Sequence, residues 1–442
     1  MIDIINPSIC QITSAFLTTH DGTSYSISDI ITEFSMIQSI ESAGLRGSIS
    51  ILDTIGFLED VPLRGEEQLN ITLLGADLNT SKVLNLQIYR IDNVSIKDNN
   101  DGLSYVLHFV SQISYKASLR RIIEPHENIV SEIVKILFAK YFAPITPTPL
   151  TNTILSTEYF TVDAYKGFYV QPTEGMFRCV IPHYEANEAM YFLVTRSYSS
   201  DSPSCSFRFF EDTDNYNFVT DEFLINNAIK NDRIRKFTYK VITDKNPDNI
   251  SEQIYNLKTI QNTNRVDTSS DLYSGAYTNN VTEIDFLRKK VSYKRFNYLT
   301  DSKYIAMDGT TNKPDSLHST QFIKDTFNTE NEKHFFVFKD YASKGDIPGQ
   351  LRSEQFVPEI VSNRVAYNHH LNNTILSAQI SGRLDIKAGD LANLDIKEFV
   401  STNDRKQNKQ LSGNYLVHTV NHSVKKDILT TTMKLVKYDW SV

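Results

Sequence analysis

Hydrophobic and polar positions in residues 1–118 alternate with the two-residue period of half-buried strands. The alternation runs through ISDIITEFSMIQSIESA, GLRGSISILD, EQLNITLLG, KVLNLQIYRIDNVSIKD and LSYVLHFVSQISYK. Turn chemistry separates these runs at Ala43-Gly44, at Pro62-Leu63-Arg64-Gly65 and at Asp98-Asn99-Asn100-Asp101-Gly102. One sheet or barrel is the expected product, with only residues 54–59 reading as a short helix inside it.

Near residue 119 the period changes. ENIVSEIVKILFAKYF places Ile129, Ile133, Ile136, Leu137 and Phe138 at helical spacing, and Pro144, Pro147 and Pro149 end the run. A second helix, HYEANEAMYFLVTRSY, precedes CSFRFFEDTDNYNFV, whose aromatic arms flank an acidic turn and predict a hairpin. These segments form an α+β insertion. Beyond residue 226, FTYKVI and AYTNNVTEIDFLRKKVSYKRFNYL return to strand patterning, and residues 300–330 are polar and poorly patterned. SEQFVPEIVSNRVAYNHHL predicts a helix that tolerates Pro358 in its first turn, where amides have no intrahelical acceptor.

The chain closes on LSGNYLVHTVNHSVKKDILTTTMKLVKYDW, with His418 and His422 four residues apart. On a helix such a pair can share a zinc ion. Here Val417, Thr419, Val420, Val424 and the threonines 430–432 are β-branched, which predicts a hairpin instead. On a strand, residues four apart lie about 13 Å apart, too far to bind one ion. No metal site is expected there.

The two ends of the chain echo one another. RGEEQLNITLL leads into YRIDNVSIKD and SYVLHFVSQISYK, while AGDLANLDI leads into YLVHTVNHSVKKD and TTTMKLVKYDW. Gly65 precedes Tyr89 by 24 positions and Gly389 precedes Tyr415 by 26, and an acid follows each glycine. This reads as one strand plan used twice, with the two tyrosines at matching places.

Composition narrows the class. A chain of 442 residues has room for about three domains. With 23 Tyr and 25 Phe against a single Trp, it is suited to packed sheets. The 45 Lys and Arg against 53 Asp and Glu leave a net charge of −8, which argues against gripping nucleic acid over a broad basic surface. Cys10, Cys179 and Cys205 form no Cys-x-x-Cys pair, which fits a reducing compartment. The N-terminus lacks a secretory pattern and no apolar run approaches membrane-spanning length, so folding in a cytoplasm without stable membrane insertion is expected.

Catalytic motifs for phosphate cradles, nucleophile elbows and zinc proteases do not occur. Glu211, Asp212 and Asp214 lack the glycine and distal glutamate of a calcium loop and read as a solvated hairpin turn. Glu185 and Glu188 have the residue types of a glycosidase pair, but at i and i+3 they also suit an exposed helix face. His369 and His370 end a helix, where a cation complements the dipole. No catalytic residue, metal or cofactor is expected.

Four stretches in this order resemble a known family: GLRGSISILDTIGFLEDVPLRGEEQLNITL, FRFFEDTDNYNFVTDEFL, NRVAYNHHLNNTILSAQISGRLDIKAGDLANLDI and SGNYLVHTVNHSVKKDILTTTMKLVKYD. They resemble the central baseplate hub protein of contractile-tailed bacteriophages, related to the N-terminal hub region of the type VI secretion spike protein. The resemblance implies a mainly β fold, with two tube-like β-barrel domains and an inserted α+β domain. It divides the chain into a first barrel (1–118), the insertion (119–225), a mixed β/α region partly completing the second barrel (226–370) and the C-terminal part of that barrel (371–442).

The same resemblance implies a structural homotrimer, a hollow ring in the virion tail baseplate assembled in the host bacterial cytoplasm. Its implied partners are a central spike protein, the tail tube or tube-initiator protein, surrounding baseplate wedge proteins and phage DNA passing through the channel without specific binding. Only two residues follow Trp440, and no needle-like repeat or lysozyme-like domain is evident, so the spike is expected as a separate chain. In the repeated plan, ADLNTSK (76–82) and KEFVSTNDRKQNKQ (397–410) are matching polar connections. They nominate Asp77, Asn79, Lys82, Lys397, Asp404, Arg405 and Lys406 as partner-interface residues. The competing reading is a tail-associated, carboxylate-based glycan hydrolase, which predicts a monomer with an acid-lined cleft.

Overall fold

The computed structural model describes residues 8–61, 63–75, 81–96, 102–150, 153–199, 201, 205–239, 255–264, 267–286, 288–301, 307–308, 320–326, 332–338, 357–372, 374–397, 406–408 and 410–437. The chain is mainly β. It opens with β1 (Cys10–Thr18), β2 (Ser24–Ser26), β3 (Ile31–Ser39), β4 (Arg46–Asp53), β5 (Gln68–Gly75), β6 (Ser81–Ile96) and β7 (Leu103–Ser111). Alternation sets their inner face: Phe34 and Met36 on β3, Ile49 and Ile51 on β4, and Tyr105, Leu107 and Phe109 on β7 are buried. The short helix is Phe57–Asp60, and the Asp53 carboxylate accepts hydrogen bonds from the amides of Ile55, Phe57 and Leu58.

The insertion contains β8 (Arg121–Ile122), β9 (Pro125–Ile129), β10 (Thr146–Thr148), β11 (Glu158–Thr161), β12 (Gly167–Val170), β13 (Met176–Val180), β14 (Tyr184–Glu185), β15 (Phe207–Glu211) and β16 (Asn215–Thr220). A five-stranded sheet in the order β10-β11-β12-β16-β15 packs an aromatic core with helices Val130–Leu137 and Ala186–Val194. Phe138, Phe168, Phe209 and Tyr216 are central to it.

The rest of the chain supplies β17 (Arg235–Tyr239), β18 (Leu257–Asn264), β19 (Thr278–Asp285), β20 (Lys290–Asn297), β21 (Lys333–Phe338), β22 (Thr374–Ser381), β23 (Leu391–Ile396), β24 (Gly413–Lys425) and β25 (Ile428–Lys437). Between β18 and β22, a three-stranded sheet in the order β20-β19-β21 packs near helix Val357–Leu371, which carries Pro358 in its first turn as expected.

Two closed strand circuits share one hairpin. The first runs β3-β4-β7-β6-β5-β1, and β24–β25 closes it. There β24 pairs with β3, Ile9 bridges to Ile428, and the Cys10 amide donates to the Asp427 carbonyl at 3.0 Å. The second runs β18-β22-β25-β24-β23-β17 and returns to β18 at the Thr238–Asn256 bridge. Strand β24 has 13 residues, about 40 Å of chain, and so reaches through both. Near the hairpin tip, Val424 and Leu429 join the core of Phe34, Ile49 and Phe109. Farther back, Val417, Val420, Met433 and Leu435 join Phe237, Leu376, Ile380 and Leu394.

The two circuits repeat one plan. The order β3-β4-β7-β6-β5 recurs as β18-β22-β25-β24-β23. Even the irregularities recur, since β-bulges fall between Ile31 and Glu33 and between Leu257 and Thr259. A second matching pair falls between Ile88 and Arg90 and between Val417 and Thr419. Gly65 and Gly389 share a left-handed backbone at φ +83° and +90°, which disfavours any side chain. The two tyrosines of the sequence echo do not occupy matching places. The Ile88 amide donates to Glu67 as the Val417 amide donates to Asp390, so Tyr89 matches His418 and Tyr415 matches Leu86.

Candidate interaction surface and the joint behind it

The acidic turn of the β15–β16 hairpin is largely withdrawn from solvent, with only Asp214 half-buried. Glu211 and Asp212 are buried where the insertion meets both barrels. The Glu211 carboxylate accepts from the Leu45 amide at 3.1 Å, from Ser111 Oγ at 2.7 Å and from Ser114 Oγ at 3.2 Å, and it pairs with Lys166. Gly44 makes this approach possible, because a Cβ there would lie 2.7 Å from that of Ser114. Burial, reinforced by the Glu211 charge, pushes the Tyr216 phenol well above its ordinary range.

Asp212 turns inward to cap the hairpin, accepting from the amides of Asp214 at 2.7 Å and Asn215 at 2.9 Å. Asp214 is held between Lys82 of the first barrel at 2.6 Å and Lys387 of the second at 2.5 Å. Burial would raise the Asp214 carboxyl, but Lys387 and Lys82 outweigh it and hold the group below its ordinary range. Beside them, burial pushes Asp390 up to about 6 even though it accepts from the Lys387 amide. The partners of Glu211 and Asp214 lie far away in sequence, which is why local pattern predicts a solvated turn.

A second joint surrounds Arg208. Its guanidinium contacts buried Asp221 at 3.1 Å and Glu41 at 3.5 Å, and it donates to Asn368 at 3.3 Å. Glu41 also approaches His418 Nε2 at 3.5 Å, and hydrogen bonding to His418 brings its carboxyl down to about 2 against the effect of burial. His422 is buried on β24, with Nδ1 at 3.0 Å from Thr431 Oγ1 and Nε2 at 3.1 Å from the Ile386 carbonyl. Burial lowers its pKa to about 4, so in the neutral form one ring nitrogen serves the hairpin and the other the segment before β23.

Of the nominated interface residues, Asp77, Asn79, Asp404 and Arg405 lie outside the described residues. Lys397 and Lys406 come together, because Lys397 forms an antiparallel bridge with Gln407, next to exposed Lys406. Lys82 differs from a rim contact: its ammonium is engaged by Asp214, and its side chain is 17% exposed. Glu185 and Glu188 form a capping box at the start of helix Ala186–Val194, and Arg121 lies 3.0 Å from the first and 3.7 Å from the second. His370 is buried between the rings of Tyr277 and Tyr298 rather than complementing the helix end from solvent. Among the described residues no cluster of three His, Cys, Asp or Glu side chains is disposed to hold a metal ion, and no helix is long and apolar enough to cross a membrane.

No protein-family model matches the chain, and no curated protein matches it. Among solved structures, the tail protein of Neisseria meningitidis MC58 aligns at 7% identity and a TM-score of 0.51, over 96% of both chains. The 43 kDa tail protein of prophage MuSo2 from Shewanella oneidensis aligns at 10% identity and a TM-score of 0.47, over 97% of both chains. An Escherichia coli component of the type VI secretion system, itself structurally similar to T4 bacteriophage tail proteins gp27 and gp5, aligns at 11% identity and a TM-score of 0.42. That match covers 97% of this chain and 77% of the other. Identities this low speak to fold alone, and of these three scores the Neisseria one exceeds 0.5. Along nearly its whole length, the chain has the fold of that tail protein.

Proposed function

We propose that this chain is the structural hub of a contractile-tail baseplate, with three copies forming a hollow ring that joins a three-fold central spike to a six-fold tail tube. The observation that supports it is the duplicated strand plan, bulges included: three chains with two barrels each present six similar units. The buried joints fit this role, since they tie the insertion to both barrels through groups with mutual partners. Glu185 and Glu188 are engaged in helix capping, which favours a scaffold over a hydrolase.

The reading divides the chain at 1–118, 119–225, 226–370 and 371–442. It places the protein in the virion tail, with spike, tail tube or tube initiator, and baseplate wedge proteins as neighbours. Phage DNA passes without specific binding, because a wall that repels phosphate lets it slide. The connections at 76–82 and 397–410 face the adjoining tube, with Lys397 and Lys406 among the contacts. Shortening residues 401–409 is then expected to impair tube docking and leave the isolated ring intact; normal tail assembly would contradict that contact. The reading as a whole is tested by low-resolution imaging of the purified protein. A six-lobed ring with a central hole is expected, and compact single-chain particles would overturn it.

A further inference from the structure

The shared hairpin explains how one barrel meets the next inside a chain. The first part of β24 pairs with β23. Its distal part, Thr419 to Lys425, leaves β23 behind and pairs antiparallel with β3. The apolar side chain near the tip, Val424, is 3% exposed and belongs to the first barrel's core.

The first barrel has the same device without the neighbour. In β6, residues Ser81 to Gln87 pair with β5 as the start of β24 pairs with β23. Residues Arg90 to Ile96 pair only with β7, and among the described residues no strand lies on their other edge. In the second barrel, β18 occupies the place of β3: it pairs with β22 on one side, and among the described residues no strand pairs along its other edge. That strand approaches β17 at the Thr238–Asn256 bridge, before its start. Val94 and Ile96 are 56% and 69% exposed on the open edge of β6. Long open edges bearing apolar side chains are templates for strand pairing.

We infer that the open edge of β6 pairs antiparallel with the open edge of β18 in a second copy of this chain, repeating between chains the β24–β3 contact within each. The inference rests on the ring reading proposed above and supplies its subunit contact. The two edges differ, so the contact is head-to-tail, and such contacts close into a ring when their rotation allows. Three of them alternating with three internal β24–β3 contacts complete six barrels.

The duplication also sets the register. Ser95 faces Ser104 as Ser423 faces Thr430, so Ser95 corresponds to Ser423, whose partner on β3 is Ser35. Ser35 faces Ser48 as Gln261 faces Ser377, and Ser48 corresponds to Ser377, so Gln261 corresponds to Ser35. Ser95 therefore lies opposite Gln261 of the second copy, and Ile96, which corresponds to Val424, lies opposite Ile260. Bulges on both strands leave the register in step, placing Asp92 opposite Asn264.

Cysteines at directly opposed strand positions lie close enough to oxidise to a disulfide. The double variant Ser95→Cys/Gln261→Cys is expected to give a ladder of disulfide-linked dimers and trimers on mild oxidation. Each single variant, and the off-register pair Ser95→Cys/Thr259→Cys, is expected to give none. The single variants also account for the native thiols, of which Cys10 and Cys205 are buried. Ile96→Asp, at a side chain exposed in the single chain, is expected to abolish the trimer while leaving the unfolding midpoint of the subunit unchanged. A trimer by mass whose double variant gives no ladder overturns the edge pairing and leaves the ring reading standing. A protein that stays monomeric at high concentration overturns both.

Discussion

The two barrels share a strand order and two bulges, yet corresponding positions meet different surroundings. His418 and Tyr89 both occupy the bulge of the long strand. His418 is 4% exposed and lies beside Glu41 of the other barrel, whereas Tyr89 is 45% exposed. Val424 and Ile96 both stand near a hairpin tip, the first 3% and the second 69% exposed. The side chains are equally apolar at the tips. What differs is the neighbour: β3 covers the second barrel's hairpin, and nothing among the described residues covers the first barrel's. Exposure in this chain therefore reports which contacts are internal.

The covered side is expected to be the easier to break. Arg208→Ala leaves Asp221 buried without its cation and exposes the Glu41–His418 contact, and it is expected to cost about 3–5 kcal/mol by chemical denaturation. A loss under about 1 kcal/mol would show that this joint does not hold the barrels together. Cavity formation separates the two hairpins next. Leu429→Ala in the covered hairpin is expected to cost about 2–5 kcal/mol. In the dissociated subunit, Ile96→Ala is expected to change stability by less than about 0.5 kcal/mol. Equal losses at the two positions would mean that Ile96 already has a partner within its own chain.

A titration distinguishes the two glycine loops. Both loops end in an acid that caps a backbone amide, Glu67 on Arg64 and Asp390 on Lys387. Burial raises the Asp390 carboxyl to about 6. An acid with a raised folded pKa contributes stability below its unfolded value near 3.9, and that contribution is lost as pH rises through the folded value. Asp390→Asn keeps an acceptor for the Lys387 amide and removes the titration. The variant should therefore gain on the wild type by about 2 kcal/mol between pH 4 and pH 6.5. Parallel stability profiles would contradict the buried assignment. The smallest effect is expected at Lys82, because Lys387 continues to pair with Asp214 in its absence. Lys82→Met should cost under about 1 kcal/mol, and a larger loss would make Lys82 the main tie between the first barrel and the insertion.

Much of this fold is legible locally. Strands β4, β5 and β7 alternate cleanly, the aromatic arms of FRFFEDTDNYNF pair as a hairpin, and Pro358 opens its helix. Strand β1 is hidden by its own bulge: Cys10 and Ile12 face inward, then the register shifts before Ser14, and Ala15 and Leu17 resume on the other parity. The echo between the ends is real, but the tyrosines misalign it, because equivalence follows hydrogen bonds to Glu67 and Asp390 rather than residue type. The acidic turn misleads for a related reason. Burial of Glu211 depends on Lys166, and the pairing of Asp214 on Lys82 and Lys387, all of which only the tertiary fold brings near. Of the nominated contact residues, Lys397 and Lys406 share a loop by a bridge that short-range pattern does not reveal.

The central claim is that one chain carries two of six barrels in a closed ring. Light scattering on the purified full chain across a range of concentrations tests it directly. Three copies of the 50.5 kDa chain, about 150 kDa, are the expected mass. A mass of one chain at every concentration, or of a stable two-fold dimer, would contradict the account.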